Sequence, residues 1–160
     1  MTTLYLVRHG ETTENAAHII QGTRNGHLAP LGISQMDTLT FILSNVHFDA
    51  IVSSDLKRAY DSAQVLANYW HLPINTTTLL RERDWGDFTG RSIPDLKGLP
   101  MPDNVEKMEE LLQRAKSFLD WVKAIYPNKT IIAVGHGIIN KAIQAVHYGK
   151  LTREIPKMSN

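Results

Sequence analysis

The chain has 160 residues and no cysteine, and its 17 basic and 16 acidic side chains leave a formal net charge of +1. The absence of cysteine excludes disulfides, thiolate nucleophiles and cysteine-ligated metals. The near-neutral balance gives no electrostatic support for a nucleic-acid or membrane partner, and no apolar run is long enough for a signal peptide or a membrane span. The expectation is one soluble, cytoplasmic α/β domain covering residues 1–160.

Leu4 to Val7 is a short apolar run ended by Arg8-His9-Gly10, the pattern of a parallel strand covered on both faces. Glu11 to Pro30 has no steady periodicity and carries Asn15, Gly22, Asn25 and Gly26. It reads as a long loop, of a length that in compact domains usually serves a function. Leu31 to Leu43 reads as a helix through Ile33, Met36, Leu39, Phe41 and Leu43. Phe48 to Val52 is a second strand, after which Ser53-Ser54-Asp55 supplies a cap for a helix from Leu56 to Trp70. Ala59, Ala63, Leu66, Ala67 and Trp70 recur there at helical spacing. Past Pro73, Ile74 to Leu79 is a third strand, Arg81 to Gly90 a charged loop, and Pro94 to Pro102 irregular.

Asp103 followed by Glu106 has the form of a helix start. Leu111, Leu112, Ala115, Phe118, Leu119, Val122 and Ile125 then form the clearest amphipathic stripe in the chain, ended by Pro127-Asn128. Thr130 to Val134 is a fourth strand that stops at Gly135-His136-Gly137, and a last helix runs from Ile138 to His147. Strands alternate with helices, which predicts a three-layer sandwich around a mostly parallel sheet. Ligands of such sheets bind beyond the carboxyl ends of the strands. His9 and His136 both stand at such ends, and adjacent strands would bring them together.

A single histidine after a strand is more often structural than catalytic. Imidazole is nonetheless a nucleophile when one ring nitrogen is unprotonated and a hydrogen bond to the other fixes the tautomer. Arg8 beside it supplies a fork of donors for a phosphoryl group, and Gly10 lets the backbone turn closely around a ligand. Arg58 follows a strand and a cap, so it starts a helix that faces the same crevice, where a second guanidinium would neutralise phosphoryl oxygens. Lys57 reads as a surface residue. His136, between two glycines, suits a donor to an equatorial phosphoryl oxygen. Glu82 becomes a general acid if partial burial near a phosphate raises its pKa, with Asp84 as the local competitor. The chain's seven histidines include no paired ligand spacing, so no metal site is expected.

Taken together these segments resemble the histidine phosphatase superfamily in its phosphoglycerate mutase-like branch. The motif residues are Leu6 to Thr12 with Asn15 shortly after, Gln21-Gly22-Thr23, Ser53 to Ala63, Leu80 to Gly90, and Gly135 to Gly137. The resemblance implies a phosphoglycerate mutase-like fold with His9 as the phosphorylated nucleophile. It implies that Arg8, Arg58 and His136 complete a phosphate pocket and that Glu82 is the proton donor. Asn15 would touch or orient the phosphoryl group, and Gln21, Gly22, Thr23 and Gly137 would lie on the substrate side. The chain departs from the family at Thr89, where a glutamate usually precedes the glycine. Gly26 to Gly32 follow the family's DxPLTxxG stretch only loosely, and a GES motif is lacking before the long helix. Many relatives add a strand after the last helix, so the sheet is expected without one edge strand.

The implied activity is metal- and cofactor-independent hydrolysis of a phosphomonoester on a small phosphorylated metabolite, through a phosphohistidine. Phosphoglycerate mutase-type phosphoryl transfer is the enzymatic rival. A catalytically silent phosphate-binding module is the non-enzymatic one.

Overall fold

A computed structural model describes residues 1–160. Its four strands, β1 (Thr3–Arg8), β2 (Ala50–Ser54), β3 (Ile74–Thr77) and β4 (Thr130–Gly135), pair only in parallel, in the spatial order β1-β4-β2-β3. The strand formed last in sequence is thus interior, between β1 and β2. The helices are α1 (Thr13–Ala16), α2 (Pro30–Ile42), α3 (Lys57–Trp70), α4 (Met108–Ile125) and α5 (Gly137–Tyr148).

Side chains alternate across a strand, and β4 uses both faces. Ile131 and Ala133 join Ala50 and Val52 in a cluster with Leu111, Phe118, Ile139 and Ile143 of α4 and α5. Ile132 and Val134 join Ile51 in a second cluster with Met36 of α2 and Ala59, Ala63 and Leu66 of α3. Two helices therefore cover each face, which is the three-layer sandwich expected from the alternation of elements. Asn140 ties α5 to β1, its amide donating to the Val7 carbonyl at 3.0 Å.

Several local expectations are corrected. The loop over 11–30 contains α1, started by a reciprocal cap in which Asn15 N–H donates to Thr12 Oγ1 and Thr12 N–H to Asn15 Oδ1, both at 3.0 Å. β3 ends at Thr77, because Thr77 Oγ1 accepts the Leu79 N–H and winds residues 78–80 into a 3-10 turn. Asp55 does not cap α3; it turns away to a bidentate pair with Arg81 at 2.8 and 2.6 Å. Asp103 and Glu106 do not start α4. That helix begins at Met108, with Glu110 accepting the Lys107 N–H, while Glu106 N–H is taken by the Asp84 carbonyl. Ile125 lies outside the buried stripe, 55% exposed. As expected, no strand follows α5. The C-terminal residues instead cross the end of β1, where Arg8 donates to the Met158 carbonyl and the Asn160 amide to the His9 carbonyl. No helix is long and apolar enough to cross a membrane.

Candidate active site

The register of the sheet assembles the site. Arg8 pairs with Gly135 across β1 and β4, and the His9 N–H continues the ladder to the Gly135 carbonyl at 3.1 Å. The next residues out are His9 and His136, whose ring centroids lie 5.1 Å apart. Gly10 is required immediately after, since a Cβ there would lie 2.4 Å from the Gly32 carbonyl oxygen. Its N–H donates to Ser62 Oγ, which in turn donates to the Arg58 carbonyl, so the first two turns of α3 hold the β1 turn in place.

His9 is buried, with Nδ1 2.7 Å from its neighbour's carbonyl, Gly10 O. A carbonyl can only accept, so Nδ1 carries the proton and Nε2 presents its lone pair. Burial pushes the ring's pKa down to about 3, helped by the Arg58 and Arg8 charges and opposed by the Gly10 hydrogen bond. The neutral imidazole, with a free lone pair on Nε2, is therefore the resting form at neutral pH.

His136 is buried too, with Nε2 2.9 Å from Ser54 Oγ and no protein partner for Nδ1. Burial, followed by the nearby Arg58, His9, Arg8 and Arg114, holds it well below the usual histidine range. Arg8 and Arg58 each leave Nε without a protein partner. Arg58 donates through Nη2 to the Gly22 carbonyl at 2.8 Å and through Nη1 to that of Arg24, which fixes the loop after Gln21. Desolvation brings Arg58 down to about 10, partly offset by Glu82 and Glu14, so it remains cationic at neutral pH. Arg8 packs its guanidinium on Gly137, where an added Cβ would lie 3.3 Å from Cζ.

Glu82 docks on the start of α5. Its Oε2 accepts the Ile138 N–H and its Oε1 that of Ile139, both at 3.1 Å, two and three residues past His136. Helix-start N–H groups have no intrahelical acceptor, so a carboxylate fits there. The segment that carries Glu82 to this point is held from α4 by Arg114. That guanidinium donates to the carbonyls of Leu79 at 3.1 Å, Arg81, and Glu82 at 3.4 Å, and pairs with Glu106 at 2.8 Å. Asp84 sits further out, with Oδ1 accepting the Gly86 N–H.

His9, Arg8, Arg58, His136 and Glu82 are thus brought together. Gly22 contributes a backbone in the left-handed region, φ 54°, and its carbonyl to Arg58. Gln21 is buried with Oε1 unpartnered, and Thr23 lines a polar cleft of about 650 Å³ that also contains Glu82. Asn15 spends its Oδ1 on the cap of α1 and keeps only Nδ2 for a ligand. Lys57 is a surface residue, paired with Asp61 at 2.6 Å. Ser54, Ser62, Asn140 and Arg114 are hydrogen-bonded neighbours of the site residues that sequence reasoning missed. Ser54 and Ser62 both lie inside the motif from Ser53 to Ala63, where Ser54 looks like a cap, and nothing local marks Asn140 or Arg114. No group of three or more His, Asp or Glu side chains is arranged to hold a metal ion.

Comparison with known proteins matches residues 4–158 to the sequence profile of the histidine phosphatase superfamily (branch 1). The chain belongs to this superfamily. The uncharacterized phosphatase PhoE of Bacillus subtilis (strain 168) is 37% identical to it over 141 residues, 86% of this chain and 72% of PhoE. A probable phosphoglycerate mutase, GpmB of Yersinia pestis (strain Pestoides F), is 32% identical over 153 residues, 86% of this chain and 71% of GpmB. Among solved structures, a mycobacterial glucosyl-3-phosphoglycerate phosphatase complexed with VO3 superposes with a TM-score of 0.90 at 26% identity, over 98% of this chain and 88% of that one. The sheet of this histidine phosphatase is accordingly the phosphoglycerate mutase-like one expected from its sequence.

Proposed function

We propose that this histidine phosphatase, acting as one domain over its whole length, hydrolyses a small phosphorylated metabolite through a phosphohistidine on His9, without metal or cofactor. The observation that carries this function is the proton pattern of the pocket. His9 offers a bare Nε2, while Arg8 Nε, Arg58 Nε and His136 Nδ1 are unpartnered polar atoms around it. A phosphoryl group needs one lone pair in line and donors for its equatorial oxygens.

In the first step His9 Nε2 bonds to phosphorus, the P–O bond breaks, and Glu82, having taken the proton of the bound phosphomonoester monoanion, passes it to the leaving oxygen. In the second, the Glu82 carboxylate takes a proton from water, the hydroxide bonds to phosphorus, and the N–P bond breaks to release phosphate and neutral His9. Arg8, Arg58 and His136 carry the charge on the phosphoryl oxygens, with Asn15 Nδ2 as a further donor. Gln21, Gly22, Thr23 and Gly137 shape the substrate side.

The charge of the cleft favours hydrolysis over phosphoglycerate mutase-type transfer. Arg81 and Arg114 are committed to Asp55 and Glu106, so Lys107 is the one lining cation without an ion pair, against Glu82, Asp84, Asp103 and Glu110. A phosphorylated acid would bring its carboxylate to that acidic wall. Rapid quench with a labelled aryl phosphate should trap an acid-labile, base-stable phosphoenzyme in the wild type and none in His9→Ala. Full turnover by His9→Ala would overturn the mechanism. Glu82→Gln should slow alkyl phosphate cleavage far more than phosphorylation by nitrophenyl phosphate; equal effects would move the acid role to Asp84.

A further inference from the structure

Ser54 is the last residue of β2 and is fully buried beside the end of β4. Its Oγ accepts the Leu56 N–H at 3.2 Å and lies 2.9 Å from His136 Nε2. The neighbouring Ser53 hydroxyl is directed elsewhere, to the Ser54 carbonyl at 2.8 Å. The Ser54 proton therefore has one acceptor within reach, His136 Nε2. If Nε2 carried the ring proton instead, the buried Ser54 hydroxyl proton would have no acceptor. The bare Nδ1 would then face the phosphoryl oxygens with a lone pair. A doubly protonated ring is disfavoured by burial among Arg58, His9, Arg8 and Arg114.

We propose that Ser54 is a positioning residue, whose hydroxyl donates to His136 Nε2 and so fixes the proton of that ring on Nδ1, where it meets a phosphoryl oxygen. This rests on His136 facing the phosphoryl group as described above. The two histidines then carry the same tautomer for opposite purposes. In His9 the Gly10 carbonyl draws the proton to Nδ1 and bares Nε2 as the nucleophile. In His136 the Ser54 hydroxyl occupies Nε2 and leaves Nδ1–H as a neutral donor. A neutral donor stabilises the oxygens in both chemical steps without surrendering its proton to them.

Long-range 1H–15N spectra of protein labelled in its histidine rings read the tautomer directly, with the His136 signals assigned by their loss in His136→Gln. The wild type should show a pyridine-type Nε2 and a pyrrole-type Nδ1 at His136. Ser54→Ala should move the proton toward Nε2 and weaken binding of inorganic phosphate about tenfold, as expected for one hydrogen bond. Ser54→Thr, which keeps the hydroxyl, should restore the wild-type pattern. A pyrrole-type Nε2 in the wild type would overturn the proposal, as would a Ser54→Ala variant with unchanged tautomer and phosphate affinity. A missing phosphoenzyme with the Nδ1–H form intact would instead remove the hydrolytic mechanism and leave the Ser54–His136 pair standing.

Discussion

Arg114 donates no hydrogen bond to the side chain of His9, Arg8, Arg58, His136 or Glu82, yet it holds the segment that delivers Glu82. Arg114→Met keeps most of the side-chain length and removes every donor. It leaves the Leu79 and Arg81 carbonyls without their guanidinium partner, and Glu106 unpaired in a site where its side chain is 13% exposed and that of Arg114 19%. Removing one partner of a buried ion pair costs ~3–5 kcal/mol, and partial solvent access reduces the charge term, so about 3 kcal/mol is expected. Glu106→Gln should cost less, about 1 kcal/mol, because Arg114 keeps its carbonyls. The double variant should then be more stable than the sum of the single losses predicts, since no carboxylate is stranded. Urea unfolding of the four proteins measures this cycle. The same variant should lower kcat about tenfold or more through displacement of Glu82, while phosphate affinity stays near wild type. A strictly additive cycle, or an unchanged kcat, would refute the anchoring of Glu82 by Arg114.

Other outcomes follow from the pocket. His9 sits at about 3 in the folded protein against 6.5 when free, so between those values only the unfolded chain binds the proton and stability falls as pH drops through that window. His9→Asn removes this contribution and should lose less stability between about pH 7 and about pH 4.5 than the wild type; equal losses in denaturant midpoint would contradict the burial of His9. Gly10→Ala pushes a Cβ against the Gly32 backbone and should cost about 2 kcal/mol in thermal unfolding, with a neutral result showing that the turn can relax. Activity should survive dialysis against a chelator; a loss restored by one particular divalent ion would reveal a metal requirement.

The strands of this protein are legible because β2 and β4 are apolar at consecutive positions, which few structures other than a doubly covered strand accommodate. Arg8, His9 and His136 are legible because chemistry-bearing residues follow those strands directly. Their convergence is not, since it depends on β4 entering between β1 and β2, and adjacency in a sheet leaves no mark on local spacing. Asp55 and Asp103 show how a local rule fails. Each stands where a helix cap belongs, but Arg81 offers Asp55 a bidentate partner, and the segment containing Asp103 folds back on the Glu82 loop, so tertiary contacts outbid the cap. Ser54 and Arg114 are ordinary residue types whose roles exist only across elements far apart in the chain.

The interior position of β4 has a consequence for the emerging chain. β2 and β3 can pair as soon as both leave the ribosome, but β1 has no strand partner except residues 130–135. The strand that leads into His9 is made before the other three and must wait, unpaired, for the last of them. During that interval its open edge is exposed to association with other chains, the characteristic hazard of non-local parallel pairing. The same dependence persists after folding. Any opening that frees β4 withdraws His136 and the strand that joins β1 to β2, so the amides of β4 should be among the slowest to exchange, and their exchange rate sets a lower limit on how often that strand opens.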